Sequence, residues 1–276
     1  MKQYILIVAC ALLVSSCANR SDTQNRTVVS ATLPIEKYFI ERLADTTVAV
    51  NVIIPQNVGH SEYSPRPSQM MTLAQSATYF AIGNLDFEIA WKDRMLTNGL
   101  KWIDLSDGIE LIQTDVEHKV TEHHHDTDPH YWLSPLRVRT MAHNMATELK
   151  KLTTYNVDSA LTSLTTDLDS LDNQLRRLSG ETFMIYHPAL TYLAADYNMT
   201  QLEIEKDGNA PSPMSYKNSI EQGRSNRVKV VFVQQGYDIE KAQEAAQMLN
   251  AKVVSINPEG YNWSQTMQTI INALSE

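Results

Sequence analysis

Short apolar runs rich in β-branched residues alternate with amphipathic segments of helical length over most of the chain. The runs with the character of strands cover residues 27–33, 47–54, 78–83, 101–106, 182–187, 200–205, 229–234 and 252–257. The segments with the character of helices cover residues 34–44, 68–77, 87–96, 135–152, 188–198, 238–250 and 262–275. This alternation predicts an α/β fold in which small parallel sheets are covered by helices.

A separate pattern lies between the two groups of strands. Apolar residues recur at alternating steps of four and three, at Val157, Leu161, Leu164, Leu168, Leu171, Leu175 and Leu178. This spacing predicts a helix over residues 156–179 with one apolar seam. The seam could form a coiled-coil dimer, or it could pack internally as a spine. We favour the spine, which joins a lobe at 27–155 to a second lobe at 180–276.

The first residues have the pattern of an export signal. Lys2 precedes an apolar run, Tyr4–Val14, that is shorter than the roughly 20 residues needed to span a bilayer. The run ends in VSSC, which resembles a bacterial lipobox, so we expect a signal peptide at residues 1–17 and a lipid on Cys17. The alternative is a plain signal peptide with an incidental cysteine. The polar residues 18–26 predict a flexible tether.

Composition restricts the chemistry of any site. The chain has 276 residues and a net charge of −9, which argues against a nucleic-acid partner. Only two cysteines occur, and Cys10 is lost with the predicted signal while Cys17 would carry the lipid. A thiolate zinc site is thereby excluded, and a metal would have to be held by histidines and carboxylates.

His130 lies in the segment DPHYWLSP. Pro129 fixes its own φ and favours an extended conformation at Asp128. Ser134 and Pro135 form a good N-cap and first-turn pair for the helix that follows. We therefore expect His130 on a stiff segment, which suits a metal ligand. The alternative for a single histidine of this kind is local packing or hydrogen bonding.

Two further histidines are predicted at comparable positions. His187 ends the strand TFMIYH, and His60 lies in the loop after the strand TVAVNVII. In open α/β sheets, ligands bind outside the carboxyl ends of the strands. His60, His130 and His187 together therefore predict a site in the crevice between the two lobes.

The chain resembles the substrate-binding proteins of bacterial ABC importers for zinc and manganese. The resemblance covers the mature chain and rests on HSEYSPRPSQMMTLAQSATYF, DPHYWLSP, YHPALTYLAADYNMTQLEIE, NAPSP and VVSINP. It implies two α/β lobes joined by a long rigid helix, with a metal between the lobes on three histidines and a carboxylate or water. His130 and His187 match the motif positions of two of these ligands.

The sequence departs from the family pattern at two positions. In the family, the first ligand is usually the histidine of an H-x-Y-x-x-x-P motif, two residues before the tyrosine. Here His60 stands three residues before Tyr63. We keep His60 as the expected ligand and Glu62 as its substitute. Asn257 stands where many members have an aspartate, and a neutral amide is a poorer zinc ligand. The candidates for the fourth position are Asn257, Glu259, Glu205, Glu62 or water.

A cluster of histidines precedes the DPHYWLSP segment. Zinc-handling members of the family often have a histidine-rich acidic loop in this neighbourhood, and such tracts bind metal weakly. The resemblance implies that this loop collects zinc or senses its level, and the alternative is a solvated loop. Its histidines are His118, His123, His124 and His125.

The resemblance implies a non-enzymatic protein that captures Zn²⁺ outside the cytoplasm and delivers it to an ABC import permease. We expect a monomer that is anchored through Cys17 and faces the periplasm or the cell exterior. Imidazole suits zinc, whereas carboxylate and water suit manganese, so Zn²⁺ is favoured over Mn²⁺ or Fe²⁺. The alternatives in other classes are a zinc-dependent hydrolase, although no H-E-x-x-H motif is present, and a surface adhesin.

Overall fold

The computed structural model describes residues 26–56, 58–60, 63–97, 99–113, 127–205 and 210–276. The strands are β1 Thr27–Ala31, β2 Val48–Val52, β3 Thr78–Ala81, β4 Trp102–Asp104, β5 Thr182–Ile185, β6 Thr200–Glu203, β7 Val230–Gln234 and β8 Lys252–Ile256. The helices are α1 Pro34–Ala44, α2 Pro67–Ala74, α3 Asp86–Thr97, α4 Pro135–Leu152, α5 Val157–Arg176, α6 Thr191–Asp196, α7 Pro213–Ser225, α8 Ile239–Leu249 and α9 Trp263–Ser275. Within these ranges, none of the helices combines the length and apolar character needed to cross a membrane.

The strands form two parallel sheets with the same winding. Their orders are β2-β1-β3-β4 and β6-β5-β7-β8, which confirms the predicted two-lobed α/β fold. In each sheet the second strand along the chain lies on one side of the first strand, and the third strand lies on its other side. The carboxyl ends next to such a reversal point are where α/β sheets form ligand sites.

Several helix boundaries follow from local sequence signals. Helices α1 and α4 have the predicted limits, because Pro34 and Pro135 each occupy the first helical turn. Ser134 stands at the N-cap of α4 but makes no capping hydrogen bond, and its hydroxyl donates instead to Asp196 at 2.6 Å. Helix α7 has no counterpart among the predicted elements, because few of its residues are apolar.

Helix α5 is the predicted spine, about 30 Å long at 1.5 Å per residue. Its seam is buried at Val157, Leu164, Leu168, Leu171 and Leu175. The helix packs against α1 and α4 on one side of the molecule and against α9 on the other. The seam is therefore covered within the chain, so the coiled-coil alternative is wrong. The lobe limits at residues 155 and 180 stay a prediction.

The two lobes are also bonded directly to each other near their strand ends. The indole nitrogen of Trp132 donates to the carbonyl of Pro258 at 3.0 Å, and that of Trp263 donates to the carbonyl of Trp132 at 2.8 Å. Both indoles are buried. On α4, Arg137 pairs with Asp196 of α6, with 2.8 Å between Nη2 and Oδ1. The two indole hydrogen bonds hold the loop before α4 against the loop after β8, and the ion pair holds α4 against α6.

A buried pair of acids lies at the reversal point of the first sheet. Glu88 accepts hydrogen bonds from the backbone N–H groups of Ile82 (3.0 Å) and Gly83 (2.7 Å) and from the hydroxyl of Thr32. Glu36 accepts from the N–H of Leu33 at 2.6 Å, and its second oxygen is buried with no hydrogen-bond partner among the described residues. Burial, followed by the charge of Glu88, raises the pKa of Glu36 well above its ordinary value.

We predict that Glu36→Gln changes how stability depends on pH. A raised carboxyl pKa in the folded state means that the free energy of unfolding falls as pH rises above the ordinary glutamate value. Glutamine keeps the oxygen that accepts from Leu33 and is neutral at every pH. The melting temperature of the variant, minus that of the parent, should therefore increase between pH 5 and pH 8.

Thermal denaturation across this range checks the prediction, with the exposed Glu240→Gln as a control for a lost surface charge. A difference for Glu36→Gln that is flat with pH, like that of the control, would show that Glu36 is ionised in the folded protein.

Candidate metal centre

Three histidines converge between the carboxyl ends of the two sheets. His60 follows β2, His130 follows β4, and His187 follows β5. The ring centroids of His60 and His130 are 5.3 Å apart, and those of His130 and His187 are 5.4 Å apart. Residues separated by more than 50 positions in sequence are thus brought to one place. Their role as metal ligands stays a prediction.

Each of the three imidazoles has its Nδ1 next to a carboxylate oxygen. The distances are 2.6 Å from His60 to Glu259, 2.8 Å from His130 to Asp128, and 3.3 Å from His187 to Glu205. A carboxylate accepts hydrogen bonds, so it favours the tautomer with the proton on Nδ1. The Nε2 lone pair of each ring is then the one left for a ligand. Metal-binding histidines in proteins usually have this second partner.

His130 is held most firmly of the three. One oxygen of Asp128 accepts from both the backbone N–H and the Nδ1 of His130, each at 2.8 Å. The ring is only 5% exposed. Burial lowers the pKa of His130 despite the opposing effect of Asp128, so the imidazole is neutral at neutral pH. Burial acts to raise the pKa of Asp128, but its interactions with His130, including the hydrogen bonds from the backbone N–H and the ring, outweigh burial, and that pKa is lowered. A neutral imidazole is the form that binds metal.

The Nε2 of His187 is the clearest candidate for a metal-binding atom. This nitrogen is buried and has no hydrogen-bond partner within the part of the chain that the structure describes. Gln234 fixes the backbone on both sides, since its side chain accepts from the N–H of His187 at 3.3 Å and donates to its carbonyl at 2.5 Å. The ring of Tyr237 stacks on the imidazole, with centroids 5.2 Å apart. A buried polar atom without a partner is rare and points to a missing ligand.

His60 points inward in spite of its shifted register. It is 7% exposed, and its ring contacts the edge of Trp132 with centroids 6.2 Å apart. The N–H of Tyr63 bonds to the carbonyl of His60 at 3.3 Å, and the tyrosine hydroxyl donates to the carbonyl of Ile53 at 2.9 Å. These two hydrogen bonds tie Tyr63 to the carbonyls of His60 and Ile53, and the loop that they hold directs His60 towards the other two histidines.

The candidates for a fourth ligand occupy different places. Glu205 and Glu259 contact the Nδ1 atoms of His187 and His60, and Asn257 donates to the side chain of Gln235 at 3.0 Å. In the described ranges, no group of three or more His, Cys, Asp and Glu side chains already has the arrangement of a formed metal site. Within the described residues, the three rings are therefore adjacent, but their donor atoms are not already arranged around a single ion.

Several predicted residues cannot be placed. Glu62, Cys17, the signal peptide and the four histidines of the acidic loop lie outside the described residues. Sequence reasoning also missed residues that shape the site, namely Asp128, Trp132, Gln234 and Tyr237. Asp128 could have been found from its position two residues before His130. No local signal marks the other three, because their partners are distant in sequence.

Two α/β lobes of the same strand order, with a cluster of three histidines between their carboxyl ends, are the architecture of a two-lobed binding protein. The chain belongs to the family described as zinc-uptake complex component A periplasmic, whose model matches residues 29–276.

Relatives and solved structures agree with this assignment. The zinc-binding lipoprotein AdcA of Streptococcus pneumoniae (strain ATCC BAA-255 / R6) is 24% identical over 100% of this chain, which spans 61% of that relative's length. The high-affinity zinc uptake system protein ZnuA of Bacillus subtilis (strain 168) is 25% identical, over 91% of this chain and 86% of that protein. A crystal structure of ZnuA superposes with a TM-score of 0.79 at 27% identity, over 91% of this chain and all of the other.

Proposed function

We propose that this protein captures one Zn²⁺ ion between its lobes through the Nε2 atoms of His60, His130 and His187. The observation that carries the proposal is the common arrangement of the three rings, with each Nδ1 next to a carboxylate and the Nε2 of His187 buried without a partner. The ion is cargo, and the protein has no catalytic role.

The choice of Zn²⁺ rests on the donor atoms. Zinc is usually four-coordinate and tetrahedral, with three or four ligands from the protein and water in any remaining position, and imidazole suits it better than it suits manganese. The nearby carboxylates contact ring nitrogens. Three imidazoles and one water or oxygen therefore form the proposed coordination shell. The names of the two relatives, a zinc-binding lipoprotein and a zinc uptake protein, support the same ion.

A zinc hydrolase is the less favoured hypothesis for this site. Such an enzyme needs a carboxylate free to act as a general base beside the metal-bound water. Glu205 and Glu259 are each directed at a histidine Nδ1, on the side of the ring away from the proposed ion. We therefore assign both carboxylates to holding the ligands.

The route of the ion follows from the family. We propose that the loaded protein delivers Zn²⁺ to an ABC import permease, that it is exported, and that a lipid on Cys17 anchors it to the membrane facing the periplasm or cell exterior. The VSSC segment and the lipoprotein relative support the anchor. The internal packing of the α5 seam supports a monomer. The histidines 118 and 123–125 are proposed as a weaker, accessory zinc-binding loop.

His187→Ala should lower the affinity for zinc by orders of magnitude, because it removes one of three strong ligands. Binding is measured by competition with a chromophoric chelator on the purified exported protein. His143→Ala is the matched control, since His143 is an exposed histidine on α4 and should leave affinity unchanged. Equal, tight zinc binding by His187→Ala and the parent would place the site elsewhere.

Replacing His123, His124 and His125 together with serine should leave the tight site intact. Short histidine-rich tracts bind metal weakly and without fixed geometry, so only weaker additional zinc should be lost. Calorimetric titration past one equivalent separates the two classes of site. Loss of the tight site in this variant would instead assign one of these histidines to the coordination shell.

Cys17→Ala should release the exported protein from the membrane fraction, because the thiol that would carry the lipid is missing. Cell fractionation and immunoblotting measure the partition, and zinc affinity should not change. A variant that stays in the membrane fraction would argue for a plain export signal and another mode of attachment.

A further inference from the structure

We infer that Glu259 is a positioning residue that couples the zinc affinity of one lobe to its contact with the other. The inference rests on the proposed function and assigns a role to the carboxylate behind His60. Glu259 follows β8 in the second lobe, whereas His60 follows β2 in the first. Their contact, 2.6 Å between Oε1 and Nδ1, is the shortest of the three histidine–carboxylate contacts.

The carboxylate partners of His130 and His187 each lie in the same lobe as the histidine that they contact. Asp128 is two residues from His130 and bonds both its backbone and its ring. Glu205 and His187 follow the adjacent strands β6 and β5 of the same sheet. Among the three described pairs, only that of His60 and Glu259 joins the two lobes. Separation of the lobes would therefore remove the partner of His60 while leaving those of His130 and His187 in place.

The loop that presents Glu259 is itself fixed by the opposite lobe. The carbonyl of Pro258, one residue away, accepts from the indole of Trp132 at 3.0 Å. Gly260, on the other side, approaches the side chain of Asn257 so closely that an added Cβ would lie 2.7 Å from it. Glu259 is thus carried by a tight loop whose position depends on Trp132, two residues from His130.

A carboxylate at Nδ1 acts on the metal bond in two ways. It holds the ring at one rotation and tautomer, and it makes Nε2 a stronger donor to a cation. Removal of such outer partners typically costs about 10–100-fold in metal affinity. Because this partner comes from the other lobe, any step that parts the lobes should weaken the hold on the ion at His60 first. Release of the cargo is thereby linked to opening of the cleft.

The test compares the parent with Glu259→Gln and Glu259→Ala in the purified exported protein. Zinc affinity is measured by chelator competition, the dissociation rate by chelator chase, and the number of nitrogen and oxygen neighbours by X-ray absorption at the zinc edge. Glu240→Ala on α8 is the control for a lost glutamate at an exposed position. Melting temperatures of the metal-free proteins show whether each variant is folded.

We expect Glu259→Ala to weaken zinc binding about 10–100-fold, mainly through faster dissociation, and Glu259→Gln to weaken it by about 10-fold because the charge is lost while an acceptor remains. The count of zinc neighbours should be the same in all three proteins. Affinities of both variants within twofold of the parent would overturn the positioning role. A neighbour lost with Glu259 would make it a direct ligand instead. Absence of tight zinc binding in the parent would refute the proposed function itself, which is a different result.

Discussion

The hydrogen bond from each histidine Nδ1 to a carboxylate is the interaction that organises the proposed site. It selects the tautomer, fixes the rotation of the ring and leaves Nε2 as the free donor. Without it, the rings of His60, His130 and His187 would have neither a fixed tautomer nor a fixed rotation. The burial of His130 adds to the effect, because a ring that stays neutral remains able to bind a cation.

The fold places these pairs by repeating one arrangement twice. Both sheets wind in the same order, and the histidines that follow their strands meet in one crevice. Helix α5 and the indoles of Trp132 and Trp263 then hold the two lobes against each other. The proposed site consequently needs both lobes, with His60 and His130 from the first and His187 from the second. A cargo ion that joins two lobes can be released when they part.

Sequence reasoning succeeded where the signal is local. Pro34 and Pro135 marked the starts of α1 and α4, and the leucine seam marked α5, because helix periodicity and capping act over a few residues. His60 and His187 were singled out because each follows a strand, and parallel strands end at one edge, whereas His130 was singled out because it lies on a stiff segment before α4. The partner of His60 could not be found, since Glu259 lies 199 residues away and only tertiary packing brings it close. Helix α7 was missed for the opposite reason, because its polar sequence has too weak a local pattern.

The most direct test is a crystal structure of the zinc-loaded protein with an anomalous difference map at the zinc edge. We expect one strong peak between the lobes, about 2.0–2.1 Å from the Nε2 atoms of His60, His130 and His187. Glu259, Asp128 and Glu205 should remain on the Nδ1 side of the rings. A peak bonded to Glu259 or Glu205 in place of a histidine, or located away from the three rings, would contradict the proposed site.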